Sequence, residues 1–228
     1  MEKTNEQGAE MVKVPATKKG AKDIIAGYFT ATRMAYMALF TAMAYVLYLP
    51  WLEFSLFPAV PFMKVDFSNT FVLISGFALG PIAGVIVGVL KEILHALTFS
   101  QTVGIGEIAN ILMLLPYVLI PSIIYKKFKG IKAVVLSLLA ACVAQTVWSV
   151  LINYTLTFPF FYSAFGYGSW ADGMQFYLKV WYWAVLFNLI KSVLITAAVM
   201  LLYKSISRLI KYTSLKFDKR SKKSVPTE

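Results

Sequence analysis

The sequence predicts an all-α polytopic membrane protein with six transmembrane helices and both termini in the cytoplasm. Three observations lead there. Apolar stretches of about 20 residues, long enough to cross a bilayer as a helix, recur along most of the chain. They are continuously apolar rather than alternating with period two, which disfavours a β-barrel. The basic residues gather at the ends of the stretches: of 22 Lys and Arg, six lie between Lys3 and Arg33, four in Lys126–Lys132 and eight between Lys204 and Lys223. Cytoplasmic ends and loops of membrane proteins carry that bias. With 59% hydrophobic and 14% charged residues, neither a disordered chain nor an ordinary soluble domain fits.

The net charge of +11 does not point to nucleic acid, because it is confined to groups flanking apolar segments. The partner of those groups is the lipid bilayer, through its anionic headgroups. The single cysteine, Cys142, sits in an apolar run and reads as a small buried hydrophobe. Residues 1–28 are polar and mixed in charge, and "AMA" at 42–44 falls inside the first apolar run, so that span reads as retained rather than cleaved.

The first span covers roughly 30–49 and is ended by Pro50. The second and third, about 67–79 and 81–98, meet at "LGPIAG", an uncharged tight turn. The fourth covers about 105–125, and the fifth about 131–157 after "KKFKGIK". The sixth runs from about 174 to 203 with a basic extension beyond. The chain thus divides into a cytoplasmic tail (1–28), a six-helix membrane domain (29–205) and a second basic tail (206–228). An even span count puts both tails and the Lys126–Lys132 loop on the cytoplasmic side. The other side receives 50–66, 98–104 and 158–173, which hold Glu53, Asp66, Asp172, many aromatics and one basic residue, Lys64.

Two ridges of small residues stand out. Gly80, Gly84 and Gly88 form a double GxxxG, read as packing inside the chain. Ala31, Ala35, Ala38 and Ala42 share one face of the first span, and either internal packing or docking of a separate membrane partner explains them.

Polar groups at membrane depth are costly and mark functional sites. Asn188 and Lys191, three apart, share a face of the last span. Gln145, Ser149 and Asn153 repeat every four residues in the fifth, and Glu107 and Asn110 open the fourth. Such stripes serve either as interhelical hydrogen bonds or as a ligand site. Amides and an ammonium suit a neutral, oxygen-rich or heteroaromatic ligand better than a metal. His95, the one histidine, reads as a structural polar group. The segments "WLEFSLFPAVPFMKVDF" and "FPFFYSAFGYGSW" supply an apolar lid for a planar ring, part of their aromatic content being interfacial belt. There is no Gly-Lys pair for a phosphate loop and no second set of spans for an inverted repeat, so in a transporter component ATP hydrolysis would belong to partners.

"FMKVDFSNTFVLISGFALGPIAGVIVGVLKEILH", "GIGEIANIL", "NYTLTFPFF" and "NLIKSVL" resemble the substrate-binding S component of energy-coupling factor (ECF) vitamin transporters, and within it the riboflavin-specific type. The resemblance covers about residues 33–205. It implies six helices, cytoplasmic termini and one riboflavin bound near the outer face, without enzymatic activity or a separate cofactor. It implies that Asn153, Asn188 and Lys191 hydrogen-bond the flavin. Glu53, Lys64 and Asp66 would lie in or beside a capping loop, and Gly104 and Glu107 at the entrance to the fourth helix. It further implies that Ala38 and Ala42 dock the ECF transmembrane coupling subunit, with two nucleotide-binding ATPases completing the complex. One departure is "DFSNT", where many relatives carry "DFSD" followed by a small residue and proline. The competing readings are the same fold binding folate or thiamine, a membrane-embedded enzyme, and a purely structural subunit.

Overall fold

The computed structural model describes residues 29–223. Helix α1 is Ala31–Val46, with Thr30 as N-cap accepting from the Arg33 amide. A single 3-10 turn, Pro50–Leu52, leads into a short antiparallel hairpin, β1 (Phe54–Ser55) with β2 (Lys64–Val65), Phe54 opposite Val65. The helices that follow are α2 (Asn69–Leu79), α3 (Pro81–Thr98), α4 (Ile105–Lys127) and α5 (Ile131–Ile152). A π turn, Asn153–Thr157, then joins α5 to α6 (Phe158–Ala164), and α7 runs from Trp170 to Lys223.

Two segments expected as exterior loops are ordered elements. The aromatic stretch 50–66 forms the hairpin, and 158–173 is mostly helical, so the fifth span continues past 157 to Ala164 and the last one starts at Trp170. The π turn is the reason the fifth helix survives Pro159. Its wider register, with the Phe158 amide bonding back to Asn153 O, places Pro159 in the first turn of a new helix, where no amide donor is required. The other end differs too: α7 passes the expected boundary at 205 without a break, while the tail 1–28 and residues 224–228 lie outside the described residues.

The glycine ridge packs internally. A Cβ on Gly84 would lie 2.7 Å from Val118 Cγ1 and 2.9 Å from the backbone of Gly76, and one on Gly88 would overlap Leu114. Helices α2, α3 and α4 therefore approach at backbone range, as small residues permit. Gly80, at φ +100°, makes the sharp turn between α2 and α3. The alanine ridge behaves otherwise. Helix α1 buries Arg33, Met37, Phe40, Thr41 and Ala44 against α2 and α3, leaving Ala31, Ala35, Ala38 and Ala42 exposed.

The main core lies among α2, α3, α4, α5 and α7 around Phe77, Tyr117, Tyr125 and Leu138. A second cluster beneath the hairpin joins Val60, Met63 and Val65 to Phe158, Tyr177 and Phe187. Among the described residues, four helical stretches are long and apolar enough to cross a membrane: Pro81–Thr98, Ile105–Lys127, Ile131–Ala164 and Trp170–Ser205. Between 33% and 44% of each is buried within the protein, so most of their surface is apolar and faces outward. Helices that are apolar on both faces belong in lipid, and the protein is an all-α membrane protein.

Candidate ligand-binding site

Between the hairpin and the ends of α2 to α7 lies a cavity of about 370 Å³, within the range of small-molecule sites. One wall is aromatic and apolar: Phe62 and Met63 from the hairpin, Phe161, Phe165 and Tyr167 from α6 and the turn after it, and Phe187 from α7. Phe62 stacks on Phe161 with centroids 4.5 Å apart, and Phe161 on Phe165 at 4.5 Å. The stack fastens the hairpin to the α6 segment by offset ring contacts.

Polar groups complete the lining. Asn153 is fully buried and lines the cavity, and neither its Nδ2 nor its Oδ1 has a partner. It sits at the first position of the π turn, a device that recurs at functional sites. Asn188 lines the same cavity, and its Nδ2 donates to Ala184 O at 2.9 Å, one turn earlier. Lys191 does not reach for the interface. Its ammonium meets Asp66 Oδ2 at 2.8 Å and Lys64 O at 3.3 Å, tying α7 to the end of β2.

Asp66 continues the network away from the cavity. It accepts from the Ser68 amide at 2.9 Å and from the Ser68 hydroxyl, which in turn accepts from Lys91 Nζ at 2.6 Å; Lys91 pairs with Glu92 at 2.8 Å. Burial by itself would push the Asp66 carboxyl up. The ammonium groups of Lys191 and Lys91 and the bonds from Lys191 and Ser68 outweigh it and hold the carboxyl well below the usual range. All five side chains are buried, and each charge has a partner of opposite sign, the condition for ions at this depth.

A second cluster closes the mouth. His95 stacks on Tyr48 at 3.8 Å and sits between two carboxylates, Glu107 Oε1 at 2.8 Å from Nδ1 and Glu53 Oε1 at 3.2 Å from Nε2. Both ring nitrogens can donate only as imidazolium. Glu107 also accepts from Ser100 and Thr102, and Lys64 joins Glu53 at 3.3 Å and Gln101 at 2.6 Å. The hairpin is thereby pinned to the ends of α3 and α4.

Of the residues singled out in the sequence, Glu53, Lys64, Glu107, Asn153, Asn188 and Lys191 all line this cavity. Asp66 stands behind Lys191 rather than on the wall. Gly104, at φ +85°, precedes α4 and bonds through its amide to Ser100 Oγ at 2.9 Å, shaping the entrance loop. Gln145, one turn below Ser149, lines the cavity but its Oε1 is taken by Ser192 Oγ at 2.7 Å, so that part of the stripe is interhelical glue. Sequence reading missed Tyr48, which lines the wall and accepts from Asn110 Nδ2 at 2.8 Å. His95, read from the sequence as a structural polar group, ties Glu53 to Glu107, and its ring also lines the cavity.

The family model for the ECF transporter substrate-specific component matches residues 32–203. The chain is 27% identical over 179 residues to riboflavin transporter RibU of Staphylococcus aureus, covering 78% of this chain and 92% of that protein. It is 28% identical over 174 residues to riboflavin transporter FmnP of Bacillus subtilis, covering 75% and 90%. A solved structure of the S component of a bacterial ECF transporter superposes with a TM-score of 0.64 at 27% identity, over 79% of this chain and 98% of the other.

Proposed function

The chain belongs to the substrate-specific components of ECF transporters, and from that premise we propose that it captures riboflavin at the outer face of the membrane for ATP-driven import. It is a multi-pass membrane protein and a transport component, not an enzyme. The observation that carries the ligand reading is the cavity itself. Aromatic side chains line it together with a fully buried, unpartnered Asn153, with Asn188 and with the Lys191 ammonium. A flat tricyclic ring with a polar edge matches that mixed lining, and relatives at 27% and 28% identity are named riboflavin transporters.

In this reading Asn153, Asn188 and Lys191 meet the flavin, and Asp66 positions Lys191. Glu53 and Lys64 hold the capping hairpin, with Glu107 and Gly104 shaping the entrance. The six spans are α1, α2, α3, α4, α5 continued through α6, and α7 as far as about 205. Both termini are cytoplasmic beside the Lys126–Lys132 loop, as the basic groups favour. The exposed ridge containing Ala38 and Ala42 is the docking face for the ECF transmembrane coupling subunit, which carries two nucleotide-binding ATPases.

Protein purified from riboflavin-containing medium should be yellow, with flavin absorption bands and quenched flavin fluorescence. Colourless protein that shows no affinity for added riboflavin overturns the proposal. Folate or thiamine released on denaturation would reassign the cavity to that vitamin.

A further inference from the structure

Resting on the reading that the cavity takes riboflavin, we infer that Asn69 is a further ligand-binding residue, its Oδ1 accepting a hydrogen bond from a donor group of the flavin. Asn69 is the first residue of α2 and lines the cavity while only 8% exposed. An asparagine at a helix start ordinarily turns its side-chain oxygen back onto a free backbone amide. Here those amides are committed. Thr70 N–H donates to Phe67 O at 3.0 Å, and Phe71 N–H to Ser68 O at 3.2 Å. The result is a buried Oδ1 with no partner, and such acceptors are few in folded proteins.

The nearby cations do not serve it. Lys191 is engaged by Asp66 and Lys64 O, and Lys91 by Ser68 and Glu92. The charged network next to Asn69 in sequence is thus closed on itself, and the orphaned acceptor lies on the cavity wall. A neutral carboxamide there accepts from a neutral donor without adding a second carboxylate near Asp66. Riboflavin carries two kinds of donor, the imide N–H of the ring and the hydroxyls of the ribityl chain. The shared chemistry is a neutral N–H or O–H facing a carbonyl acceptor.

The test uses the full chain in detergent, titrated with riboflavin and with lumiflavin, which lacks the ribityl chain, while the Tm of the ligand-free protein is recorded. Asn69→Leu keeps the branched shape and removes the orphaned acceptor. It should raise the riboflavin Kd on the order of 5- to 10-fold, the loss of one neutral hydrogen bond, with an unchanged or higher Tm without ligand. Asn69→Ala should raise the Kd in the same direction. An equal loss for lumiflavin assigns the donor to the ring imide; a loss confined to riboflavin assigns it to the ribityl chain. A Kd within twofold of the parent in both variants overturns the inference, as does a lowered Tm with unchanged affinity. The parent protein failing to bind either flavin overturns the function proposed above, and this inference with it.

Discussion

Lys191 and Asp66 stand 125 positions apart in the chain and meet at 2.8 Å. The contact closes the last helix onto the end of the hairpin, so one ammonium both faces the cavity and holds the strand that covers it. Truncating either partner leaves the other charge buried and unpaired. Lys191→Ala should therefore destabilise the protein by about 3–5 kcal/mol, the range for breaking a buried pair, and should abolish tight flavin binding. The double variant Lys191→Met with Asp66→Asn should recover much of the Tm but not the affinity. Thermal melts beside flavin titrations separate the two effects; full recovery of binding in the double variant would show that Lys191 only supports the fold.

Acid should weaken the same contact. The Asp66 carboxyl sits below its unfolded value, so its contribution is fully present above the unfolded pKa of about 3.9 and is lost as the pH falls through the folded value. The Tm of the solubilised protein should begin to fall as the pH drops below about 4. Asp66→Asn should flatten that slope, and an identical slope in the variant would place the acid sensitivity elsewhere.

The mouth cluster predicts a kinetic effect. His95 joins Glu53 of the capping segment to Glu107 of α4. His95→Ala should release the hairpin and speed riboflavin dissociation about 10-fold, on the scale of one or two charge-assisted bonds. Stopped-flow release measures it; an unchanged off-rate means the other contacts, the stack of Phe62 on Phe161 and the bonds of Lys64 and Lys191, hold the lid without it.

Asn153→Leu separates ligand recognition from folding. The parent side chain has no protein partner, so its removal should leave the Tm of the ligand-free protein level or raised while weakening riboflavin at least 10-fold, as expected for two lost hydrogen bonds. A marked fall in Tm would instead reveal a structural role.

The two small-residue ridges should respond differently to bulk. Gly84→Leu forces side-chain atoms into Gly76 and Val118 and should cost about 1–3 kcal/mol or more. Ala38→Trp adds a side chain at an exposed position of α1 and should leave flavin affinity intact while abolishing uptake by the assembled transporter. Surviving uptake would move the docking face elsewhere.

Much of this was legible in one dimension. Apolar length and the grouping of basic residues marked a helical membrane protein, because lipid demands long apolar helices and the bias of Lys and Arg sets their orientation. Asn153, Asn188 and Lys191 were legible as candidates because polar groups at that depth need a reason. The spacing of Gly84 and Gly88 announced close packing. What the spacing left undecided was the use of each group. Gln145 and Asn153 share a stripe, yet Ser192 occupies the first while the second is left without a partner. Only the tertiary structure made that choice, since it depends on which neighbouring helix brings a donor within about 3 Å. The same holds for Asp66, for His95 between its two carboxylates, and for the π turn that carries the fifth helix past Pro159. Such contacts join residues distant in sequence, whereas hydropathy and helical spacing report only on one segment at a time.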